Sequence, residues 1–176
     1  MARHRLLTIA RLAAITLAIA PALSACGGTG FRPMYAANAS GQPLSAKLAE
    51  IRITAIPGRV GQQLRNELLF QTTGGGETFE KNYKLDIVLR HRLTSQLVNQ
   101  EGESESQIFH LDADFQLTDL RKNNQVIFKG QSFGRASFQR FQTIYANVRA
   151  RQDAENRTAK TVAHDIAGRL EAYLSR

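Results

Sequence analysis

Cys26 is the only cysteine of this 176-residue chain, and the residues before it give its thiol a specific chemistry. The segment Leu23-Ser24-Ala25-Cys26 has a branched apolar residue, two small residues and then the cysteine, which is the bacterial lipobox pattern. In that pattern the thiol receives diacylglycerol and the freed amino group an N-acyl chain, so Cys26 is the predicted lipidation site. The alternative is ordinary signal cleavage, which leaves a lone free thiol in an oxidising compartment. A single cysteine also excludes a disulfide within the chain and any multi-cysteine metal site.

The first 25 residues have the pattern of a secretory signal peptide. A basic head with Arg3, Arg5 and Arg11 precedes an apolar run without acids at residues 12–22. This run is too short for a membrane-spanning helix, which needs roughly 20 apolar residues. We therefore expect residues 1–25 to be removed as a signal peptide.

Gly27 directly follows the lipobox cysteine and favours an outer-membrane destination, because an aspartate at that position favours inner-membrane retention. Each buried acyl methylene contributes about 0.8 kcal/mol, so the several chains on one cysteine anchor a protein stably. The expected location is the periplasmic side of the outer membrane, with the lipid on Cys26 as the anchor. Apart from this covalent diacylglycerol and N-acyl lipid, no cofactor is expected.

The net charge bears on the class of partner. Removal of residues 1–25 takes away three arginines and no acid, which lowers the net charge from +8 to +5, with 20 basic and 15 acidic residues left. Basic surfaces often bind nucleic acid, but the abundant anions of the periplasm are phospholipid and lipopolysaccharide phosphates. We therefore expect no nucleic-acid partner.

A search for catalytic patterns favours a protein that is not an enzyme. The sequence has no nucleophile-elbow motif, no histidine spacing typical of metal sites and no glycine-rich strand-to-helix fingerprint. Of the histidines beyond the signal peptide, His91 falls at an inward strand position and is expected in the core or at its rim. Glu101, Glu103 and Glu105 lack the glycine turn of a metal-binding loop, so a solvated loop is favoured.

Two stretches have the apolar spacing of helices. Val60, Leu64 and Leu68 recur every four residues and predict a helix over residues 60–73, ended by the glycines from Gly74. A second helix is predicted from about residue 145 to 174, with the apolar positions Val162, Ile166, Leu170 and Leu174 beside Ala159, Ala163 and Ala167.

Four stretches predict strands. The first is residues 50–56, and three more with alternating apolar residues start near Tyr83, Phe109 and Val126. The small residues Gly130 and Gly134 in the last strand indicate a bend or a close approach by a packing helix. The expected fold is α+β, with two helices on one face of a four-stranded, mostly antiparallel sheet in the order β-α-β-β-β-α. Residues 26–48 are predicted to be the lipidated N-terminus and tether, and residues 49–176 a single domain.

A tight turn at Asn123-Asn124 fixes the expected pairing of the last two strands. It predicts that Asp112 lies opposite Arg135. On the inward face it predicts Phe109 opposite Phe138 and Leu111 opposite Ala136. Charge is unevenly distributed, since residues 99–120 hold six acids and no Lys or Arg, whereas residues 121–152 hold seven Lys or Arg and no acid. One interpretation is that these acidic and basic residues pair with each other across the strands.

The other reading is an anionic ligand or partner on the sheet face that the helices leave open. Alternation places four basic residues on that face: Arg90, Arg92, Lys129 and Arg135. No acid is expected directly opposite the first three. The same alternation places Val88, Ile127 and Phe133 beside them. These four cations are the candidate contacts to a partner or to lipopolysaccharide.

Several motifs together resemble one family, the LptE-type lipopolysaccharide-assembly lipoproteins. The motifs are Cys26-Gly27, then Phe31-Arg32-Pro33-Met34-Tyr35, the helix Gly58-Arg59-Val60-Gly61-Gln62-Gln63-Leu64-Arg65-Asn66-Glu67-Leu68, and the Arg- and Ala-rich helix of residues 145–176. Here Gly28-Thr29-Gly30 separates the Cys-Gly pair from the phenylalanine and lengthens the tether. The resemblance covers essentially the whole mature chain.

The resemblance implies an LptE-like α+β domain that plugs the outer-membrane β-barrel translocon LptD and assists its assembly. Such proteins help to deliver lipopolysaccharide to the cell surface. Two alternatives stay open: a periplasmic lipid-binding or auxiliary transport lipoprotein that works without a barrel, and a structural lipoprotein of the cell envelope.

Overall fold

The computed structural model describes residues 43–74, 80–98 and 104–175. The elements in chain order are α1 (Leu44–Ala49), β1 (Ile51–Ile53), α2 (Gly58–Thr73), β2 (Tyr83–Val98), β3 (Ser104–Asp119), β4 (Gln125–Gln139) and α3 (Ile144–Leu174). The predictions for the signal peptide, Cys26 and the tether up to residue 42 lie outside the described residues, as do those for Glu101 and Glu103 and for the side chain of Glu105.

The four strands form one sheet in the order β1-β2-β3-β4. The pairs β2–β3 and β3–β4 are antiparallel, as expected for strands joined by short loops, whereas β1 pairs with β2 in parallel. The parallel pair follows from the helix α2 between them, because parallel neighbours need a long crossover connection. The sheet is therefore mixed, and the expected α+β class with a mostly antiparallel sheet is matched in outline.

Helix α1 is an element that the sequence patterns did not predict. Residues 26–48 were expected to be a tether, but Leu44–Ala49 form a helix that contacts both α2 and α3. Leu44 and Leu48 lie one turn apart and are buried in the core. Six residues are too few to show a helical period or to be stable alone, so packing against the longer helices stabilises this turn.

The core lies between the helices and one face of the sheet. All the predicted apolar positions of α3 are buried: Ala159, Val162, Ala163, Ile166, Ala167, Leu170 and Leu174. From α2, Leu64 and Leu68 are fully buried. Gly74 ends α2 in the left-handed conformation with φ of 59°, and its N–H donates to the carbonyl of Phe70 over 2.9 Å, as expected of a C-cap.

The predicted register of β3 and β4 is wrong by two residues. Phe109 lies opposite Ala136 and Leu111 opposite Gly134, whereas the predicted partners were Phe138 and Ala136. The turn itself is as expected, because Asn123 and Asn124 both have positive φ. Three residues of the β3 side, 120–122, stay unpaired before the turn, which shifts the register by three residues. A bulge between the pairs of Leu117 and Thr118 adds one residue on β4 and reduces the shift to two. Two residues are one full strand period, so the side chains of β4 after the bulge keep their predicted faces.

Candidate functional site

The candidate site is the face of β2, β3 and β4 that the helices leave uncovered, which we call the open face. Residues directly opposite one another form rows across the three strands. These rows are Asp86, Gln116 and Lys129; Val88, Asp114 and Gln131; Arg90, Asp112 and Phe133; and Arg92, His110 and Arg135. All four predicted cations therefore lie on this face, spread over β2 and β4.

Arg90 and Arg92 do have acidic partners, which corrects the expectation that they lack them. Arg90 forms an ion pair with Asp114 at 2.5 Å, and Arg92 forms one with Asp112 at 3.1 Å. Asp112 lies directly opposite Arg90, so the expectation of no acid across from that arginine is wrong. The ion-pair partner of each arginine nevertheless lies on β3 one row away, so both pairs are diagonal. Such diagonal neighbours are within reach of long side chains. Both arginine side chains remain more than half exposed.

Lys129 and Arg135 differ from these two arginines. Lys129 lies opposite Gln116, and Arg135 lies opposite His110 instead of the predicted Asp112. Within residues 43–74, 80–98 and 104–175 neither cation forms an ion pair. Of the four predicted basic residues, these two keep their charge available to an outside anion.

Exposed apolar side chains lie among these charges. Val88 is 61% exposed and Phe133 is 67% exposed. Ile127, which was predicted on the same face, instead packs partly against the core. It lies at the bulge of β4, where the extra residue interrupts the alternation of faces. The apolar part of the open face is therefore smaller than the sequence predicts.

A groove with a volume of about 450 Å³ runs across the open face. Its lining residues come from three strands: Asp86, Val88, Asp114, Phe115, Gln116, Lys129, Gly130 and Gln131. Asp86 is paired with Lys84 at 3.0 Å, so Lys129 is the cation of the groove without an ion pair in the described part of the chain. Four residues of the groove were not predicted as site residues: Asp86, Asp114, Gln116 and Gln131. Their alternation with the core positions along each strand could have placed them on the open face.

The titratable groups of the described residues do not converge in a metal site. No group of three or more His, Cys, Asp or Glu side chains in residues 43–74, 80–98 and 104–175 is placed to hold an ion. His91 lies at the rim, exposed and stacked on the ring of Phe109 with 5.7 Å between the ring centroids. In the same part of the chain, no helix combines the length and the apolar character needed to cross a membrane.

An ion-pair cluster around the buried Glu155 joins the two long helices on the opposite side of the sheet. Glu155 of α3 accepts hydrogen bonds from Arg59 at the start of α2 and, at 2.9 Å, from Arg151 one turn earlier on α3. Burial by itself raises the pKa of Glu155, but the two guanidinium groups outweigh it and hold that pKa below its ordinary value of 4.5. Because one of these arginines lies in the Gly58–Leu68 motif of the sequence, that motif has a structural role here.

No protein-family model and no curated protein matches the chain. Solved structures do match. A protein of Caulobacter crescentus that is provisionally described as a lipoprotein superposes with a TM-score of 0.61 at 23% identity, over 74% of this chain and 95% of the other. The uncharacterized lipoprotein B of Nitrosomonas europaea superposes with a TM-score of 0.52 at 12% identity, over 71% and 82%. The chain therefore shares its fold with solved bacterial proteins described as lipoproteins.

Proposed function

We propose that this chain is a non-enzymatic outer-membrane lipoprotein that plugs an LptD-type β-barrel translocon and helps it to assemble. In this role it assists lipopolysaccharide delivery to the cell surface. The observation that carries the proposal is the open face, where apolar side chains lie beside ion pairs and beside two cations that have no ion pair within the described residues. A large uncovered surface of this mixed character is suited to a protein partner.

Two further features support the proposal. The lipobox ending at Cys26 would fix the protein to the membrane that holds such a barrel. The motifs that resemble LptE-type proteins extend from this cysteine to the last helix, and the fold shared with the two lipoproteins is compatible with that resemblance.

The structure changes which residues test the proposal best. Reversing Arg90 and Arg92 would place glutamates beside Asp114 and Asp112 and create like-charge pairs within the protein itself. Lys129→Glu with Arg135→Glu avoids most of this, because neither cation has an ion pair within the described residues. Exposed charges contribute at most about 1 kcal/mol to folding, so the isolated protein should stay folded.

The experiment is isolation of the barrel with the lipidated protein from outer membranes, together with surface lipopolysaccharide. In the Lys129→Glu, Arg135→Glu variant we expect both to fall together while the circular dichroism spectrum is unchanged. Charges that lose a buried partner at an interface cost about 2–5 kcal/mol. Lys160→Glu, at an exposed position of α3, is the matched control and should behave like the wild type.

Normal barrel recovery and normal surface lipopolysaccharide in the double variant would contradict the proposed partner surface.

The groove favours a second candidate, a periplasmic lipid-binding lipoprotein that works without a barrel, because it places Lys129 beside Val88 as an anionic lipid would require. In that case the double variant loses bound lipid, whereas the wild type is recovered as a free monomer that carries lipid.

A further inference from the structure

The start of α3 presents an apolar surface that the core does not use. The buried stripe of this helix begins only at Ala154, so the first turns extend beyond it. Four large apolar side chains in and just before these turns are exposed: Phe141, Ile144, Tyr145 and Val148. Ile144 is 83% exposed and Tyr145 is 76% exposed. We call these four residues the apolar patch.

The patch has the spacing of one helical surface. Ile144 and Val148 lie four residues apart and are neighbours on α3, with Tyr145 beside them. Phe141 precedes the helix, and its backbone is held by Asn147 through two hydrogen bonds of 2.5 Å, one to its N–H and one to its carbonyl. An exposed aromatic residue is thus fixed in place next to the exposed start of the helix.

Two arginines flank the patch along the chain. Arg140 precedes it, and Arg149 follows Tyr145 by one turn on the same face. Neither arginine forms an ion pair within residues 43–74, 80–98 and 104–175. No acid occurs anywhere in residues 121–152. Two copies of this patch would therefore repel each other, whereas an anionic surface would attract it.

The chain before α1 is long enough to bring the patch to the membrane that holds Cys26. Seventeen residues separate Cys26 from Leu44, and a segment of this length spans at most about 60 Å. The 31 residues of α3 rise over about 45 Å. Anchoring at Cys26 therefore does not prevent either end of this helix from reaching the bilayer surface.

We propose that the apolar patch docks on the surface of a bilayer with anionic phospholipid headgroups, as a second membrane contact beside the lipid anchor. Ile144, Tyr145 and Val148 enter the boundary between headgroups and acyl chains, where aromatic and aliphatic side chains of interfacial helices lie. Arg140 and Arg149 remain at the level of the phosphates. The inference does not depend on a barrel partner and applies to the lipoprotein before any partner binds.

The absence of tryptophan from the chain allows a specific test. In Tyr145→Trp the full protein carries a single tryptophan in the patch, and it is reconstituted into vesicles of phosphatidylethanolamine and phosphatidylglycerol. We expect its emission to shift to shorter wavelengths and to be quenched by lipids brominated near the headgroup end of the acyl chains. In vesicles of phosphatidylcholine alone, the shift and the quenching should be largely lost.

Phe70→Trp is the matched control. Phe70 is 68% exposed and lies near the end of α2. Helix α2 runs alongside α3, with Arg59 near Glu155 and Glu67 near His164, so the end of α2 lies far from the start of α3. Its emission should stay that of a tryptophan in water. In the Tyr145→Trp background, Ile144→Asp should lower the ratio of docked to undocked protein about tenfold or more. The substitution removes an aliphatic side chain that the bilayer would bury in the docked state.

Three results would overturn the proposal. The first is quenching of the tryptophan at position 145 no stronger than that at position 70. The second is equal quenching in anionic and phosphatidylcholine vesicles, with no loss after Arg140→Glu and Arg149→Glu. The third is a shift that appears only when another protein or a second copy of the chain is bound, which would assign the patch to a protein interface.

Discussion

At the scale of single residues, Glu155 has the most distinctive environment in the described part of the chain. Its side chain is almost buried, yet it stays ionised between Arg59 and Arg151. Both arginine side chains are about half exposed, so the loss of the carboxylate charge costs mainly the charged hydrogen bonds that it accepts from them. The cluster therefore ties the start of α2 to α3.

Glu155→Gln should make the protein less stable at pH 7, by about 1–3 kcal/mol, since charged hydrogen bonds are lost. The pKa of Glu155 is lowered in the folded state, so its contribution is present above the ordinary value of 4.5 and is lost as the pH falls through the folded pKa. The variant and the wild type should converge at low pH. Urea unfolding at pH 7 and at pH 3 measures this, and a difference that does not change with pH would refute it.

Arg90 and Arg92 were wrongly expected to lack acidic neighbours, although both were placed on the correct face of the sheet. The alternation of side chains predicted the faces of both arginines correctly, because it depends on the backbone geometry of a strand alone. Their ion pairs depend on which residue of β3 lies opposite, and that depends on the register. The polar residues that join β2 to β3 have no tight-turn motif that would fix how these two strands align.

At the scale of elements, the packing of α3 on β4 depends on the small residues of that strand. A Cβ atom at Gly134 would lie 3.0 Å from methyl groups of both Thr158 and Val162. The close approach expected from the glycines of this strand is therefore present at Gly134. At Gly130 the ring of Phe115, on the neighbouring strand, takes the space that a side chain would fill.

Two alanine substitutions of the same chemistry should have opposite effects. Gly134→Ala forces α3 away from β4 and should destabilise the protein by about 1–3 kcal/mol, the usual cost of overpacking. Gly168→Ala, within α3, meets no atom within 4 Å and should stabilise the helix by about 0.5–1 kcal/mol. Thermal unfolding of the two variants compares them directly. Equal shifts in the same direction would show that α3 does not press on β4 at this point.

At the scale of the whole molecule, the central expectation is that one lipidated cysteine holds a folded domain on a membrane. Seventeen residues separate Cys26 from the first described helix residue, Leu44, so its side chain is not required by the described core. The anchor and the fold are therefore expected to be separable.

Cys26→Ala should abolish acylation and membrane retention without changing the fold. Growth with radiolabelled palmitate should label the wild type and leave the variant unlabelled, while the circular dichroism spectrum and melting temperature of the two stay alike. Labelled palmitate on the variant would contradict the lipobox assignment, and a lower melting temperature would show that the N-terminal segment contributes to the core.

The sequence by itself determined the features that depend on neighbouring residue types and on the periodic spacing of apolar side chains. The lipobox pattern, the bounds of both long helices to within two residues, the turn at Asn123-Asn124 and the face of nearly every strand residue follow from side-chain type and spacing. These features are set by neighbours a few residues apart, so one sequence contains enough information to predict them.

Only the tertiary structure decided the features that depend on distant parts of the chain. Helix α1 forms because Leu44 and Leu48 pack on α2 and α3. The ion pairs of the open face form because the register of β2 and β3 brings their charges together, and Ile127 turns to the core at the bulge of β4. The exposed start of α3 likewise follows from where its buried stripe begins at Ala154. Contacts between segments far apart in the sequence fix each of these, and local periodicity has no information about such contacts.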